Sequence, residues 1–149
     1  MLKPLHRLTA ADLEAAFALN VLSAFHAMKA ALGPMQAARA GSIVVCSSVA
    51  AGTGLPNHEA VAMAKAGLEG LVRAAAMTYA PANIRINAVA PGLTDTPLAA
   101  HLTGSARALE ASLAIHPLGR VGDPADVARA IAWLVSAPNV TGAIIPLDG

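Results

Sequence analysis

Few side chains in this 149-residue sequence could do chemistry, and most of them stand close together. His58-Glu59 precedes Lys65, with the histidine seven residues before the lysine and so on the same face of one helix. A histidine beside a carboxylate suits proton transfer near neutral pH. The same pair also fits an exposed helix start with a favourable acid in its first turn. Lys65 sits in Ala62-Met63-Ala64-Lys65-Ala66-Gly67, where burying its stem without a partner would be costly. Ser48 ends an apolar run and can either cap the next turn or touch a substrate. Asn20 interrupts an apolar helix, where it can bond a backbone carbonyl or reach a ligand. His6, His26, His101 and His116 lack metal-ligand spacing, so no metal site is expected. The lone cysteine, Cys46, is expected to be buried in a strand.

The elements that must position these groups follow from periodicity. Thr9 is a plausible helix cap with Asp12 in the first turn, and Leu13, Phe17, Val21 and Phe25 then form a bulky face at i, i+4 spacing. That helix is predicted to break near Asn20 and to be interrupted at Gly33-Pro34, with a further turn reaching Ala40. Residues 42–48, rich in β-branched types, predict a strand buried on both faces. Gly52, Gly54 and Pro56 mark a loop, and residues 58–79 an alanine-rich helix. Residues 84–90 predict a second strand closed by Pro91-Gly92. Residues 94–113 predict a loop with irregular helix. Asp123 or Pro124 opens a helix to about Ser136, and residues 142–147 predict a third strand. Alternating helices and strands imply an α/β fold, a parallel sheet of three strands with right-handed crossovers. An apolar edge strand in so small a sheet calls for a covering partner.

Composition narrows the function classes. Lys+Arg number 10 against Asp+Glu 9, the net charge is +1, and 56% of residues are hydrophobic with only 13% charged. The length suits a single domain spanning residues 1–149. No lysine/arginine cluster exists to displace counterions, so nucleic-acid binding is not expected. Residues 15–32 are the most apolar stretch, but Asn20, His26 and Lys29 interrupt it, which predicts a buried helix of a soluble protein rather than a membrane span. The N-terminal residues show no signal-peptide pattern, and one cysteine cannot make an internal disulfide. A cytoplasmic location is the expectation, and the sequon at Asn139-Val140-Thr141 carries little weight there.

Taken together, several motifs resemble the short-chain dehydrogenase/reductase family. They are residues 41–48 (Gly-Ser-Ile-Val-Val-Cys-Ser-Ser), Lys65-Ala66-Gly67, the run from Asn87 through Pro91-Gly92-Leu93-Thr94-Asp95-Thr96-Pro97, Pro117-Leu118-Gly119-Arg120, Gly122-Asp123-Pro124 and Thr141-Gly142 with Asp148-Gly149. The match runs in family order along nearly the whole chain and corresponds to the second half of that fold, a partial Rossmann-like sheet. The family's opening strand and glycine-rich turn have no counterpart, and Gly52 and Gly54 do not fit the dinucleotide fingerprint.

The resemblance implies an NAD(P)-dependent oxidoreductase of carbonyl or secondary-alcohol substrates. Its asparagine, serine and lysine fall on Asn20, Ser48 and Lys65. Its nicotinamide contacts fall on Lys65, Pro91, Gly92, Thr94 and Thr96. Its proton-donating tyrosine falls on Val61, which has no proton to give. His58 is the one candidate substitute acid. The chain alone is therefore expected to be inactive or incomplete and to bind NAD or NADP weakly. Two other readings stand beside this one: a non-catalytic subunit or interaction module, and an N-terminally truncated gene product. The resemblance also implies subunit contacts through the helices at 20–31 and 58–79 and through the last helix and strand. A homo-oligomer (dimer or tetramer), or a partner chain completing the sheet, is the expectation.

Overall fold

The strand β2 (Ile84–Pro91) organises the computed structural model, which describes residues 2–100 and 104–149. It pairs in parallel with β1 (Gly41–Cys46) on one side and with β3 (Ile144–Leu147) on the other. Sheet order is β1-β2-β3, with Gly41 opposite Ile84 and Pro91 opposite Leu147. Ile84, Ile86, Ala88 and Val89 of β2 are buried, as expected for a central strand with helices on its faces.

Among the described residues, the helices in chain order are α1 (Ala10–Phe17), α2 (Ser23–Ala38), α3 (Glu59–Tyr79), α4 (Ala106–Leu113) and α5 (Pro124–Ser136). The start of α1 is closed by a reciprocal box: the Asp12 amide donates to Thr9 Oγ1 at 3.2 Å and the Thr9 amide to Asp12 Oδ2 at 3.0 Å. Asp123 caps α5 by accepting from the Ala125 amide at 2.8 Å, with Pro124 in the first turn. The predicted boundaries of α5 and the three-strand parallel architecture match what is observed. His101, Leu102, Thr103 and Met1 lie outside the described residues, so the sequence expectations for His101 and for that part of 94–113 do too.

Several local expectations are corrected or refined. Gly33-Pro34 does not interrupt α2, which continues to Ala38 and ends at Arg39 in the left-handed region, φ 50°. Met28 and Leu32 are buried and Met35 packs against the same core, so the apolar face runs on past the proline. Gly33 and Pro34 face solvent, where water can satisfy the carbonyl that a proline leaves without a donor. The break near Asn20 is a single π turn, Ala18–Leu22, joining α1 to α2. That turn changes the helical register, so Val21 is half-buried while Phe25 points outward and carries His26 against its ring edge at 5.2 Å.

The same helical run, Ala10–Ala38, is long and apolar enough to cross a membrane by length and composition, with a mean hydropathy of 1.4. It was expected to be buried, but only Met28 and Leu32 of α2 are, because one narrow stripe faces α3 and β1. Likewise, β1 is half-buried rather than enclosed, since its outer edge has no strand beside it among the described residues.

Two polar side chains of β2 tie the third strand and α5 to the sheet. Asn87 is fully buried; its amide donates to the Val140 carbonyl at 2.9 Å and its oxygen accepts from the Ala143 amide at 3.0 Å. Arg85 donates to the Leu134 and Val135 carbonyls at 2.8 and 2.7 Å, a cation on the negative end of α5. Asn87→Ala strands both backbone groups away from water. A loss of about 1–3 kcal/mol per orphaned group is expected, measured as a lower urea midpoint at unchanged slope. An unchanged midpoint would show that water replaces the amide.

Candidate active site

The site forms where β1 ends against the first half of α3. The Lys65 ammonium donates to the Cys46 carbonyl at 2.7 Å, at the last residue of β1. Ser48 lies two residues further on, where its Oγ accepts from the Ala50 amide at 3.2 Å and opens the 3-10 turn Val49–Ala51. That bond uses an oxygen lone pair and leaves the hydroxyl hydrogen to donate elsewhere. Lys65 and Ser48 are thus brought to one strand end. Burial lowers the Lys65 pKa from its ordinary value, while the neighbouring Cys46 thiol acts in the opposite direction. Cys46 itself is exposed, not buried as expected: it is the terminal residue of an edge strand, and its side chain leaves the sheet there.

Val61 sits one helical turn before Lys65 and is half-buried. His58 holds the N-cap position of α3, with Nδ1 2.8 Å from the Pro56 carbonyl, an arrangement that leaves Nε2 as the free ring nitrogen. Asn20 lies in the π turn, and its amide donates to the Ala16 carbonyl at 2.9 Å. The side chain thus satisfies a backbone group of its own helix.

The second cluster follows β2. Pro91 is the last strand residue, and the Gly92 amide donates to the Leu147 carbonyl at 2.9 Å. A Cβ on Gly92 would lie 3.0 Å from Asp148 Cα and 3.1 Å from His116 Nε2, so a side chain there would force its neighbours to shift. Thr94 donates to the Gly92 carbonyl at 3.2 Å, and Thr96 to the Thr94 carbonyl at 3.4 Å. A parallel bridge between Thr94 and Gly122 holds the segment from the far side.

Two sets of positioning residues escaped the sequence reading. His116 donates from Nδ1 to the Ser112 carbonyl at 2.6 Å and accepts the Leu93 amide on Nε2 at 3.2 Å, so it fastens the turn carrying Thr94. Ser47 and Glu69, 4% and 8% exposed, form the other. The Ser47 hydroxyl donates to Glu69 Oε1 at 2.8 Å, and Arg73 pairs with Oε2 at 2.9 Å. This link joins the residue before Ser48 to the residue one turn after Lys65. Glu69 falls four before Arg73, the helical ion-pair spacing, which was the only signal available. Among the described residues, no three His, Cys, Asp or Glu side chains are grouped to hold a metal ion. A hollow of about 450 Å³ lies beyond the ends of β2 and β3, bordered by Thr94, His116, Arg120 and Asp148.

With this geometry in view, the comparisons identify the family. A family model described as enoyl-(acyl carrier protein) reductase matches residues 1–149. The chain belongs to the short-chain dehydrogenase/reductase family. It is 44% identical over 148 residues to the cis-4-hydroxycyclohexanecarboxylate dehydrogenase of Sinomonas cyclohexanicum, covering 98% of this chain and 59% of that protein. It superposes on ElxO with NADP bound at a TM-score of 0.91 and 30% identity, over 99% of this chain and 60% of the other. A 7α-hydroxysteroid dehydrogenase complexed with NADH and 7-oxo glycochenodeoxycholic acid gives a TM-score of 0.90 at 32% identity, over 100% and 58%. The chain therefore spans about three-fifths of the length of the relatives it matches.

Replacing Glu69 tests the buried link. Glu69→Ala leaves the Ser47 hydroxyl without an acceptor in the interior, and a loss of about 1–3 kcal/mol is expected. Glu69→Gln keeps an acceptor for Ser47 and should lose less. Equal unfolding free energies for wild type and Glu69→Ala would show that the link contributes nothing.

Proposed function

We propose that this chain is the substrate-side portion of an NAD(P)-linked oxidoreductase for carbonyl or secondary-alcohol substrates, and that alone it does not complete the reaction. The observation that carries this reading is the placement of Lys65 on the Cys46 carbonyl beside Ser48, with Val61 one turn earlier. The residues present fit only one end of a dinucleotide. Lys65 has donors left for a nicotinamide ribose, and the turn from Pro91 through Gly92 and Thr94 to Thr96 is held rigidly enough to seat the ring. No Gly-x-Gly-x-x-Gly turn opens a helix in these 149 residues, so the pyrophosphate has no cradle here.

Nicotinamide, when bound, supplies hydride. The work of this chain is to place and polarise the substrate: the Ser48 hydroxyl donates to the carbonyl oxygen, and Lys65 keeps a positive donor nearby. Proton delivery is the missing operation, since Val61 offers none. His58 could hold a proton on Nε2, but its place at the start of α3 is equally that of a helix cap. NADH and NADPH are expected to bind more weakly than micromolar, about −8 kcal/mol, by titration calorimetry. No steady-state ketone reduction is expected, and Val61→Tyr should not restore it. Turnover by the wild-type chain would overturn this reading, and a fall of about 10²-fold in His58→Ala would then assign the acid.

A non-catalytic, assembling module is the second reading, favoured by the surface. Leu19, Met77 and Trp133 are 75%, 78% and 51% exposed, and Leu22, Phe25 and Met63 also face outward. They lie on the π turn and α2, on α3 and on α5, and apolar side chains of this size are suited to cover by a second chain. Both readings require a homo-oligomer or a partner chain along β1, and both fit a cytoplasmic protein with a free exposed thiol. Light scattering should report a mass above the 14.9 kDa of one chain. A stable, folded monomer at micromolar concentration would show that these faces need no cover.

A further inference from the structure

We propose that His116 is a proton-operated latch on the turn that follows β2: the neutral ring holds the turn at Leu93, and the protonated ring releases it. The inference concerns the turn itself and stands whether or not a nicotinamide seats there. The ring lies between two segments of chain, and each of its nitrogens meets one backbone group. Nδ1 is 2.6 Å from the Ser112 carbonyl, near the end of α4, and Nε2 is 3.2 Å from the Leu93 nitrogen, whose N–H points at it. Both contacts are partly buried. A carbonyl can only accept and an amide N–H can only donate, so the partners fix the tautomer, with the hydrogen on Nδ1 and a bare Nε2.

The latch is mounted on a fixed frame. The His116 amide donates to the Leu113 carbonyl at 3.0 Å and the His116 carbonyl accepts from the Gly119 amide at 2.8 Å, so its backbone is held on both sides. The turn it grips is otherwise held by backbone pairs that do not titrate. The Gly92 amide meets the Leu147 carbonyl, the Gly122 amide the Leu93 carbonyl and the Asp95 amide the Gly122 carbonyl, each at 2.9 Å. The Leu93 N–H differs in resting on a group that can gain a proton, and histidine exchanges that proton between about pH 5 and 8. In the protonated ring both nitrogens carry hydrogen, and Nε2–H faces the Leu93 N–H, donor against donor. The Nδ1–H bond to Ser112 survives in either form, so the ring stays with α4 and the break falls at Leu93. The hold is present on the alkaline side of the ring's titration and lost on the acid side.

Both partners of the ring are backbone groups, and the charged side chains around it are exposed or engaged elsewhere. From its own segment, Arg107 and Glu110 of α4 and Arg120 beyond it are exposed, and so is Asp95 on the turn after β2. From α5, Asp123 accepts from the Ala125 amide and Asp126 pairs with Arg129. From the end of β3, Asp148 stands close: a Cβ on Gly92 would lie 3.1 Å from His116 Nε2 and 3.2 Å from Asp148 Cβ. That carboxylate is placed to receive the charged ring when Leu93 is released. Leu93, Thr94, His116 and Asp148 all border the hollow of about 450 Å³, so the exchange of partners takes place on its wall.

Nuclear magnetic resonance of the nitrogen-labelled chain, followed from about pH 8 down to about pH 5, reads the latch directly. In the neutral form, a coupling across the hydrogen bond should link the Leu93 amide nitrogen to His116 Nε2. It should vanish along the ring's own titration curve, and Leu93 amide protection against solvent exchange should fall about tenfold or more, as for an orphaned donor. The Gly92 and Asp95 amides, bonded to carbonyls, should keep their protection. Leu93 protection that is unchanged across the ring's titration overturns the proposal, and so does a ring that stays neutral over the whole series. His116→Gln offers Leu93 an oxygen that accepts and does not titrate, so the pH dependence at Leu93 should disappear. Full pH dependence in folded His116→Gln would assign it to another group and also overturn the latch. No dinucleotide is present in any arm, so failure here is separate from failure of the oxidoreductase reading.

Discussion

Everything in this molecule is referred to β2. Among the described residues it is the one strand hydrogen-bonded on both sides, and its side chains complete what its backbone begins. Asn87 makes an amide bridge to the segment leading into β3, and Arg85 neutralises the carbonyl end of α5. Even the start of the site depends on it: the Ser47 amide donates to the Val89 carbonyl at 2.7 Å, beyond the last paired residue of β1. Ser48 is aimed by a strand it does not belong to. A buried polar group is costly unless it is hydrogen-bonded, and the buried Asn87 is bonded through both its amide nitrogen and its oxygen.

The site is built from two strand ends rather than from a loop. One end presents the Lys65 amine and the Ser48 hydroxyl, the other a turn at Gly92 where a Cβ would crowd Asp148 and His116. In such an arrangement the donors are fixed in advance, and fixed donors need no reorganisation when a polar group meets them. Glu69 and His116 supply that fixity from behind, each holding a residue adjacent to one that faces the site. Val61 is half-buried on α3 one turn before Lys65, and an aliphatic side chain suits that place.

Local chemistry was legible where a residue acts on its own neighbourhood. The Thr9–Asp12 box, the Asp123-Pro124 start of α5 and the β-branched strands could all be read from short windows, and so could the α/β class. What stayed hidden depended on distant partners. Pro34 reads as a helix breaker, yet Met28, Leu32 and Met35 find a core that carries the helix through it. Cys46 reads as buried because its strand is apolar, but burial at a sheet edge depends on which strand lies alongside. The partners of Arg85 and Asn87 lie 49 to 56 residues away and the Leu93 amide lies 23 from His116, and no periodicity announces them. Placement of Asn20, Ser48 and Lys65 was legible only through the motifs of the family.

The buried face of α3 is made largely of the smallest side chain that a helix can carry. Ala60, Ala64, Ala75 and Ala76 are 3%, 0%, 8% and 1% exposed, with Leu68 and Val72 between them. A face of this kind brings backbone close to backbone and has little left to lose by truncation. Its weakness lies in the opposite direction: extra methylenes at Ala60, Ala64 or Ala76 overpack this buried face. Sequence drift along this helix is thus asymmetric, free toward glycine-sized neighbours in volume and closed toward bulk. The distance between Lys65 and the end of β1 is guarded by that asymmetry.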